Sequence, residues 1–267
     1  MKQITAPQIV TFAALFGIIA VSGVGTTALV LGRLPLGDFR GVVLVIAGVV
    51  ITYLYAFAVY RLFLRWRPLQ EGDLADGSAG EFAAQVNILF YLLLFNSLIR
   101  THFLPVPLLR LVYLALGARL GPNTYSAGVL LDPPLTTFGR DCIIGHDACL
   151  YAHAIEGDRF ALSRIVAGDR VTIGATAVVM SGVHIGDDAI VSAGAVVLKG
   201  TRIAAGEVWG GVPARRLRAG PLSAFSSFQR SVGSPAPGQS IESASRTEKG
   251  LVRGPSFNGL EARCDVL

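Results

Sequence analysis

The 267-residue chain is 52% hydrophobic and only 15% charged, which is too apolar for an ordinary water-soluble domain. Its net charge of +5 is not arranged as a basic stripe interleaved with aromatic residues, so no nucleic-acid partner is expected. Residues 3–32 and 41–60 contain no charged side chain, whereas the sequence after residue 120 is rich in Gly and β-branched residues. We therefore expect a membrane part followed by a globular part.

The chain begins with two long apolar runs, at residues 9–31 and 41–63. Each reaches the roughly 20 apolar residues that a helix needs to cross the hydrocarbon core of a membrane. A short link separates the runs, so we predict a hairpin of two transmembrane helices within residues 1–67. The first run lacks the charged leader of a secretory signal peptide, and the second follows at once, so both are interpreted as spans.

The arginines that flank these runs predict their orientation. The far end of the second run carries Arg61, Arg65 and Arg67. The link between the runs carries Arg33 and Arg40. Because positive charge accumulates on the cytoplasmic side, the larger group places both ends of the hairpin in the cytoplasm. We therefore predict a multi-pass protein of the inner (cytoplasmic) membrane, with its globular part facing the cytoplasm.

A third charge-free run, at residues 82–99, is more polar than the first two. It contains Gln85, Asn87, Asn96 and Ser97. This polar content favours a helix that lies in or against the membrane, with a third span as the alternative. We assign the run to a membrane-proximal helical region at residues 68–116.

A six-residue repeat dominates the second half of the chain. Every sixth residue from 173 to 203 is a branched aliphatic, namely Ile173, Val179, Ile185, Val191, Val197 and Ile203. Three residues after each comes a residue type that tolerates a tight corner, namely Thr176, Gly182, Asp188, Gly194, Gly200 and Gly206. An earlier stretch keeps the period in another phase, at Phe138, Ile144 and Leu150.

This period predicts the architecture of residues 117–218. A repeat of six fits neither a helix nor an ordinary strand. Three short strands, each pointing one aliphatic inward, close a triangular coil of about 18 residues. Stacked coils bury a continuous aliphatic column that a single coil cannot bury alone. The fold class is therefore mainly β, a parallel β-helix preceded by an α-helical transmembrane region.

The repeat sequence resembles that of bacterial hexapeptide-repeat acyltransferases. The run from Val171 to Val197 carries this resemblance, and Gly210-Gly-Val-Pro-Ala-Arg215 is similar to the closing motif of that family. The resemblance implies a left-handed coil, a homotrimer, acetyl-CoA or another acyl-CoA as co-substrate, and no metal. Upstream, Arg67-Pro68, Glu71-Gly-Asp73 and Leu116-Gly-Ala-Arg-Leu-Gly121 are similar to membrane-linked members, including the C-terminal regions of polylysine-type peptide synthetases.

The repeat loses its phase between Leu150 and Ala167, and His153 lies in this interruption. Acyl transfer from a thioester needs a base for the acceptor's proton, and imidazole titrates near neutral pH. The resemblance implies that His153 is this base, because related transferases place their catalytic histidine at the same point. Glu156, three residues later, is the carboxylate expected to fix the tautomer of the ring.

The resemblance also implies where coenzyme A binds. Its pantetheine arm would lie along small residues of the coils, namely Ser192, Ala193 and Gly194. Backbone N–H groups near Ala175 would stabilise the oxyanion. Lys199 and Arg215 are the basic side chains expected to meet its phosphates.

Two other functions remain open at the level of sequence. His146 and His153 resemble the histidine pair of zinc-binding, carbonic-anhydrase-like β-helices, although a third ligand is missing upstream. A non-catalytic trimeric scaffold is the other alternative. The acceptor is not readable from the sequence, since a sugar, a lipid-linked intermediate, an amine or a peptide would each fit.

The last segment, residues 219–267, has no apolar periodicity and is rich in Ser, with scattered Gly and Pro. This composition predicts a disordered tail.

Overall fold

The computed structural model describes residues 4–35, 37–101 and 103–219, so the predicted tail lies outside the described residues apart from Ala219. Helices precede strands, as the sequence indicates. The helices are α1 (Ala6–Leu31), α2 (Arg40–Trp66), α3 (Ala79–Phe90), α4 (Asn96–Arg100) and α5 (Val106–Leu116). A π-helical turn, Tyr91–Phe95, joins α3 to α4, and 3-10 turns lie at Gly37–Phe39 and Pro133–Leu135.

Among the described residues, three helical stretches are long and apolar enough to cross a membrane, namely Ala6–Leu31, Gly37–Trp66 and Ala79–Arg100. The first two are the predicted hairpin, and the third extends the predicted helix at residues 82–99. The third differs in its packing, because 56% of its apolar window is buried by the rest of the protein, against 17% and 6% for the others.

Two polar residues of the third stretch, Gln85 and Asn87, face the protein, whereas Ser97 is exposed. Asn87 is buried, and its Oδ1 accepts a hydrogen bond of 2.6 Å from the Tyr60 hydroxyl of α2. Gln85 is also buried, and its Nε2 lies 3.3 Å from Glu81 Oε1. Part of the polar content of residues 82–99, namely Asn87, therefore reflects packing between helices.

Three sheets of short parallel strands form the faces of a prism. The first sheet contains β2 (Arg119–Leu120), β5 (Thr136–Phe138), β10 (Ile165–Ala167), β13 (His184–Ile185) and β16 (Arg202–Ile203). The second contains β3 (Tyr125–Ser126), β6 (Ile143–Ile144), β11 (Thr172–Ile173), β14 (Ile190–Val191) and β17 (Val208–Gly210), with β18 (Arg215–Arg218) added antiparallel. The third contains β4 (Val129–Leu130), β7 (Cys149–Leu150), β12 (Val178–Val179) and β15 (Val196–Val197).

The strand register confirms the predicted coil of 18 residues. Ile173 lies opposite Val191, and Val179 lies opposite Val197. The six aliphatic residues of the repeat are at most 4% exposed. All six predicted corner residues adopt φ angles between +56° and +71°. The parallel β-helix is therefore confirmed, and its left-handed sense stays a prediction.

One insertion interrupts the prism. Ile144 lies opposite Ile173, 29 residues later instead of 18, which leaves 11 residues outside the regular coil. These residues form an antiparallel hairpin of β8 (His153–Glu156) and β9 (Arg159–Leu162). A further strand, β1 (Gly72–Leu74), follows α2 and pairs with β9. The hairpin thus ties the end of α2 to the prism.

Helix α5 closes the N-terminal end of the prism. The Tyr113 hydroxyl donates to the carbonyl of Gly128 (2.7 Å) and accepts from the backbone N–H of Leu130 (3.2 Å). Arg110 Nε donates to the carbonyl of Thr124 (2.9 Å). These bonds satisfy backbone groups of the first coil that have no preceding coil to pair with.

Candidate active site

Two departures from the six-residue period meet at one edge of the prism. Leu130 and Phe138 hold equivalent inward positions on consecutive strands, but they are eight residues apart and not six. The 3-10 turn Pro133–Leu135 lies between them. In the next coil, the corresponding positions are Leu150 and Ala167, which are seventeen residues apart. Both segments connect the third sheet to the first. Asp132 and His153 therefore lie one above the other at this edge.

Asp132 holds both the ring and the backbone of His153. Its Oδ2 lies 2.7 Å from His153 Nδ1 and accepts hydrogen bonds from the backbone N–H groups of Ala152 (2.9 Å) and His153 (3.1 Å). The side chains are only 3% and 15% exposed, respectively. An ionised carboxylate only accepts hydrogen bonds, so this geometry favours a proton on Nδ1. Nε2 is then the ring nitrogen that carries no proton while the imidazole is neutral.

Opposing effects act on the pKa of His153. Burial lowers this pKa, because the imidazolium loses its hydration. The negative charge of Asp132 and the hydrogen bond to it raise the pKa, and together they outweigh burial. The pKa of His153 therefore lies above the ordinary histidine value.

Replacing Asp132 with Asn is expected to lower the pKa of His153. The substitution removes the charge that raises the pKa and leaves the burial that lowers it. An imidazole acts as a base only when neutral, so activity should rise with pH through this pKa, and in the variant the rise should occur at lower pH. NMR titration of the four histidine rings, with His153 assigned by its own replacement, measures the shift directly. Glu156→Gln is the control, and an unchanged His153 titration in Asp132→Asn would contradict the assignment.

Glu156 does not take the role that the sequence suggested for it. Asp132 holds the His153 ring, while Glu156 Oε1 accepts a hydrogen bond from Lys199 Nζ at the protein surface. This ion pair borders a cavity of about 370 Å³ that is also lined by Ala154, next to His153, and by Ser181. Two residues predicted for separate roles are thus brought together, on the opposite face of β8 from the His153 side chain.

The other predicted coenzyme A residues lie on a different edge of the prism. Ala175 and the segment 192–194 form corners between the second and third sheets, one coil apart. They pack closely, since a Cβ on Gly174 would lie 2.3 Å from the backbone nitrogen of Ala193. Arg215 begins β18, beyond the last coil. Within one chain, these residues are therefore separated from the edge that carries His153 and Lys199.

Asp132 is the residue that sequence analysis missed. It lies 21 residues before His153, and only stacking of successive coils brings the two together. The available signal was the two-residue lengthening of the coil around Asp132-Pro-Pro134.

Comparison with known proteins identifies the repeat itself. A family model described as "Hexapeptide repeat of succinyl-transferase" matches residues 164–199. Residues 164–199 are a hexapeptide repeat. Among curated proteins, gamma carbonic anhydrase 1, mitochondrial, of Arabidopsis thaliana is 40% identical over 83 residues, which cover 31% of this chain. The matched part spans only 26% of that relative.

Several solved structures are similar in part. A hexapeptide-repeat acetyltransferase from Vibrio cholerae is 30% identical with a TM-score of 0.36, over 39% of this chain and 62% of its own. A galactoside acetyltransferase in complex with coenzyme A is 19% identical with a TM-score of 0.44, over 62% and 93%. Serine acetyltransferase from Brucella abortus strain S19 is 18% identical with a TM-score of 0.36, over 77% and 70%.

Proposed function

We propose that this protein is a membrane-bound, acyl-CoA-dependent acyltransferase with His153 as general base. The observation that carries the proposal is the buried Asp132–His153 pair at the irregular edge of the β-helix. A carboxylate that orients an imidazole and stabilises its protonated form is the arrangement that base catalysis needs. The match to the hexapeptide repeat of a transferase family supports this reading.

The Asp132–His153 pair accounts for each proton transfer in the reaction. Nε2 of His153 removes the proton from the hydroxyl or amine of the acceptor, whose freed electron pair attacks the thioester carbonyl carbon. The carbon–sulfur bond then breaks, and the coenzyme A thiolate takes the proton back from the imidazolium. Asp132 stabilises the imidazolium between these two steps because its charge lies 2.7 Å from Nδ1.

The separation of the predicted coenzyme A residues supports a homotrimer. Lys199 lies on the edge of His153, whereas Ala175, Ser192–Gly194 and Arg215 do not. In this proposal, the second group serves the active site of a neighbouring copy, so that acyl-CoA binds between subunits. As part of the same proposal, the coils of the β-helix are left-handed.

The path of residues 72–120 supports a membrane part with two spans. The segment is attached to the prism at both ends, through β1 before α3 and through β2 after α5. The 11-residue helix α5 is about 16 Å long, half of the roughly 30 Å hydrocarbon core. A chain that crossed with α3 could not return across the membrane through α5. We infer that residues 79–116 enter and leave on one side, with the prism in the cytoplasm.

The test is release of free thiol from acetyl-CoA by the full chain in detergent micelles, with sugars, amines and a bacterial membrane-lipid extract as acceptors. Acceptor-dependent thiol release is expected, and a membrane-linked hydroxyl or amine is the favoured acceptor because the site is held at the membrane. Absence of thiol release with every acceptor, for acetyl-CoA and longer acyl-CoAs alike, would contradict the proposal.

The carbonic anhydrase relative favours a zinc-dependent β-helix as the second candidate. In the structure, His146 Nε2 lies 3.3 Å from Asp147, and His153 Nδ1 is held by Asp132. Residues 4–35, 37–101 and 103–219 contain no group of three His, Cys, Asp or Glu side chains that could hold a metal. Stoichiometric zinc in the purified protein, with CO2 hydration lost on chelation, would establish this alternative.

A further inference from the structure

A basic pocket lies where the end of α2 and the end of α5 meet the base of the prism. Its volume is about 730 Å³. Four guanidinium groups line it, those of Arg61, Arg65, Arg119 and Arg164. Within the described part of the chain, no Asp or Glu side chain lines the pocket. The pocket is therefore a site of concentrated positive charge.

Among the described residues, a carboxylate balances only one of these charges. Arg164 pairs with Glu71 at 2.9 Å. Arg61 lies against Gly117 at the end of α5, where a Cβ would lie 2.6 Å from its Nη1, so helix carbonyls partly offset its charge. Arg65 and Arg119 have no ion-pair partner among the described residues. Like charges facing one cavity repel each other, and a bound anion relieves that repulsion.

The rest of the pocket wall is apolar and continues along a candidate span. Ala58, Leu62 and Leu114 line it together with the arginines. Ala58 and Leu62 belong to the last turns of Gly37–Trp66, which is apolar enough to cross a membrane. The arginines of these turns then lie at the level of the lipid headgroups. A soluble anion would match the charges and leave this wall uncovered, whereas a lipid matches both.

We propose that this pocket binds the phosphate headgroup of a membrane lipid, with an acyl chain along Ala58 and Leu62. The inference depends on the insertion of α2 into the membrane and is independent of acyl transfer. The pocket wall includes Pro134 and Leu135, and the Pro133–Leu135 turn directly follows Asp132. A bound headgroup therefore lies against the segment that holds the carboxylate of the candidate active site.

The experiment measures binding of dioctanoyl phosphatidic acid to the full chain in micelles of an uncharged detergent, without acyl-CoA. Arg65→Gln/Arg119→Gln is expected to weaken this binding about 100-fold, because each lost charge-assisted hydrogen bond is worth about tenfold. Arg67→Gln is the matched control. It removes one charge next to the end of α2, as the Arg65 replacement does, but Arg67 stacks over Trp66 at 4.8 Å and does not line the pocket.

Two comparisons separate the lipid from other phosphate ligands. Dioctanoyl phosphatidylcholine should bind at least tenfold more weakly than phosphatidic acid, and inorganic phosphate should not compete at millimolar concentration. Equal affinities in the double variant and in Arg67→Gln would overturn the site, and competition by inorganic phosphate would overturn its assignment to a lipid. Arg65→Lys/Arg119→Lys keeps the charges and should retain most of the affinity, which distinguishes lost binding from lost folding.

Discussion

Replacing His153 with Gln is expected to lower kcat/KM for acyl transfer by about 10²- to 10⁴-fold, the usual contribution of a general base. Such a loss corresponds to about 3–5 kcal/mol of transition-state stabilisation. Glutamine is similar in size to histidine, and its amide can still donate a hydrogen bond to Asp132, so the surrounding segment should keep its conformation. The measurement is thiol release from acyl-CoA with the acceptor identified by the panel.

His184→Gln is the control for this substitution. His184 lies on β13, is exposed on the outside of the prism and does not line the cavity beside Glu156 and Lys199. Its replacement should change the rate less than twofold. A His153→Gln protein that folds normally and transfers acyl groups at the unaltered rate would remove His153 from the mechanism, and the non-catalytic scaffold would then be the better reading if no residue at this edge affected the rate.

Replacing Ile144 with Ala is expected to destabilise the prism by about 2–5 kcal/mol, the usual cost of truncating a buried Ile. Ile144 is 1% exposed and lies between Ser126 and Ile173 of the adjacent coils. Removing its side chain leaves a cavity in the aliphatic column, and each coil is stabilised mainly by its neighbours. Urea unfolding of the full chain in micelles, followed by the fluorescence of Trp209 on β17 in a Trp66→Phe background, measures the change.

The adjacent residue provides a matched control. Ile143 is the same residue type on the same strand, but it points outward and is 58% exposed. Ile143→Ala should change the free energy of unfolding by less than about 0.5 kcal/mol. Equal losses at positions 143 and 144 would show that the alternation of inward and outward side chains is not what stabilises this strand.

The period of the repeat could be predicted from the sequence because each coil uses the same residue types at the same spacing. One inward aliphatic and one corner residue recur every six positions, and the structure buries the first and gives the second a positive φ. Glycine and short polar residues tolerate that φ at low cost, so the corners leave a signal in composition. The two apolar runs of the hairpin are legible for a similar reason, since length and hydrophobicity alone define a candidate span.

The partner of His153 left no such signal. Glu156 is close in sequence, but it lies three positions along β8 from His153, on the opposite face of the strand, and it accepts a hydrogen bond from Lys199 of a later coil. Asp132 is 21 residues away in sequence and within 2.7 Å in space, because parallel stacking places successive coils over each other. The polar residues at 82–99 likewise gave no sign of their partners, since Asn87 bonds to Tyr60 of α2, 27 residues earlier in the chain.

Sequence alone was thus sufficient for whatever repeats or accumulates along the chain: the coil length, the inward column, the corners and the apolar helices. Three-dimensional packing was needed for whatever joins distant segments: the Asp132–His153 pair, the separation of Ala175 from His153 within one chain, and the arginine pocket between α2 and α5. The physical reason is that periodic burial restricts the residue type at each position of the repeat. A contact between two coils depends instead on how many residues the intervening loop adds.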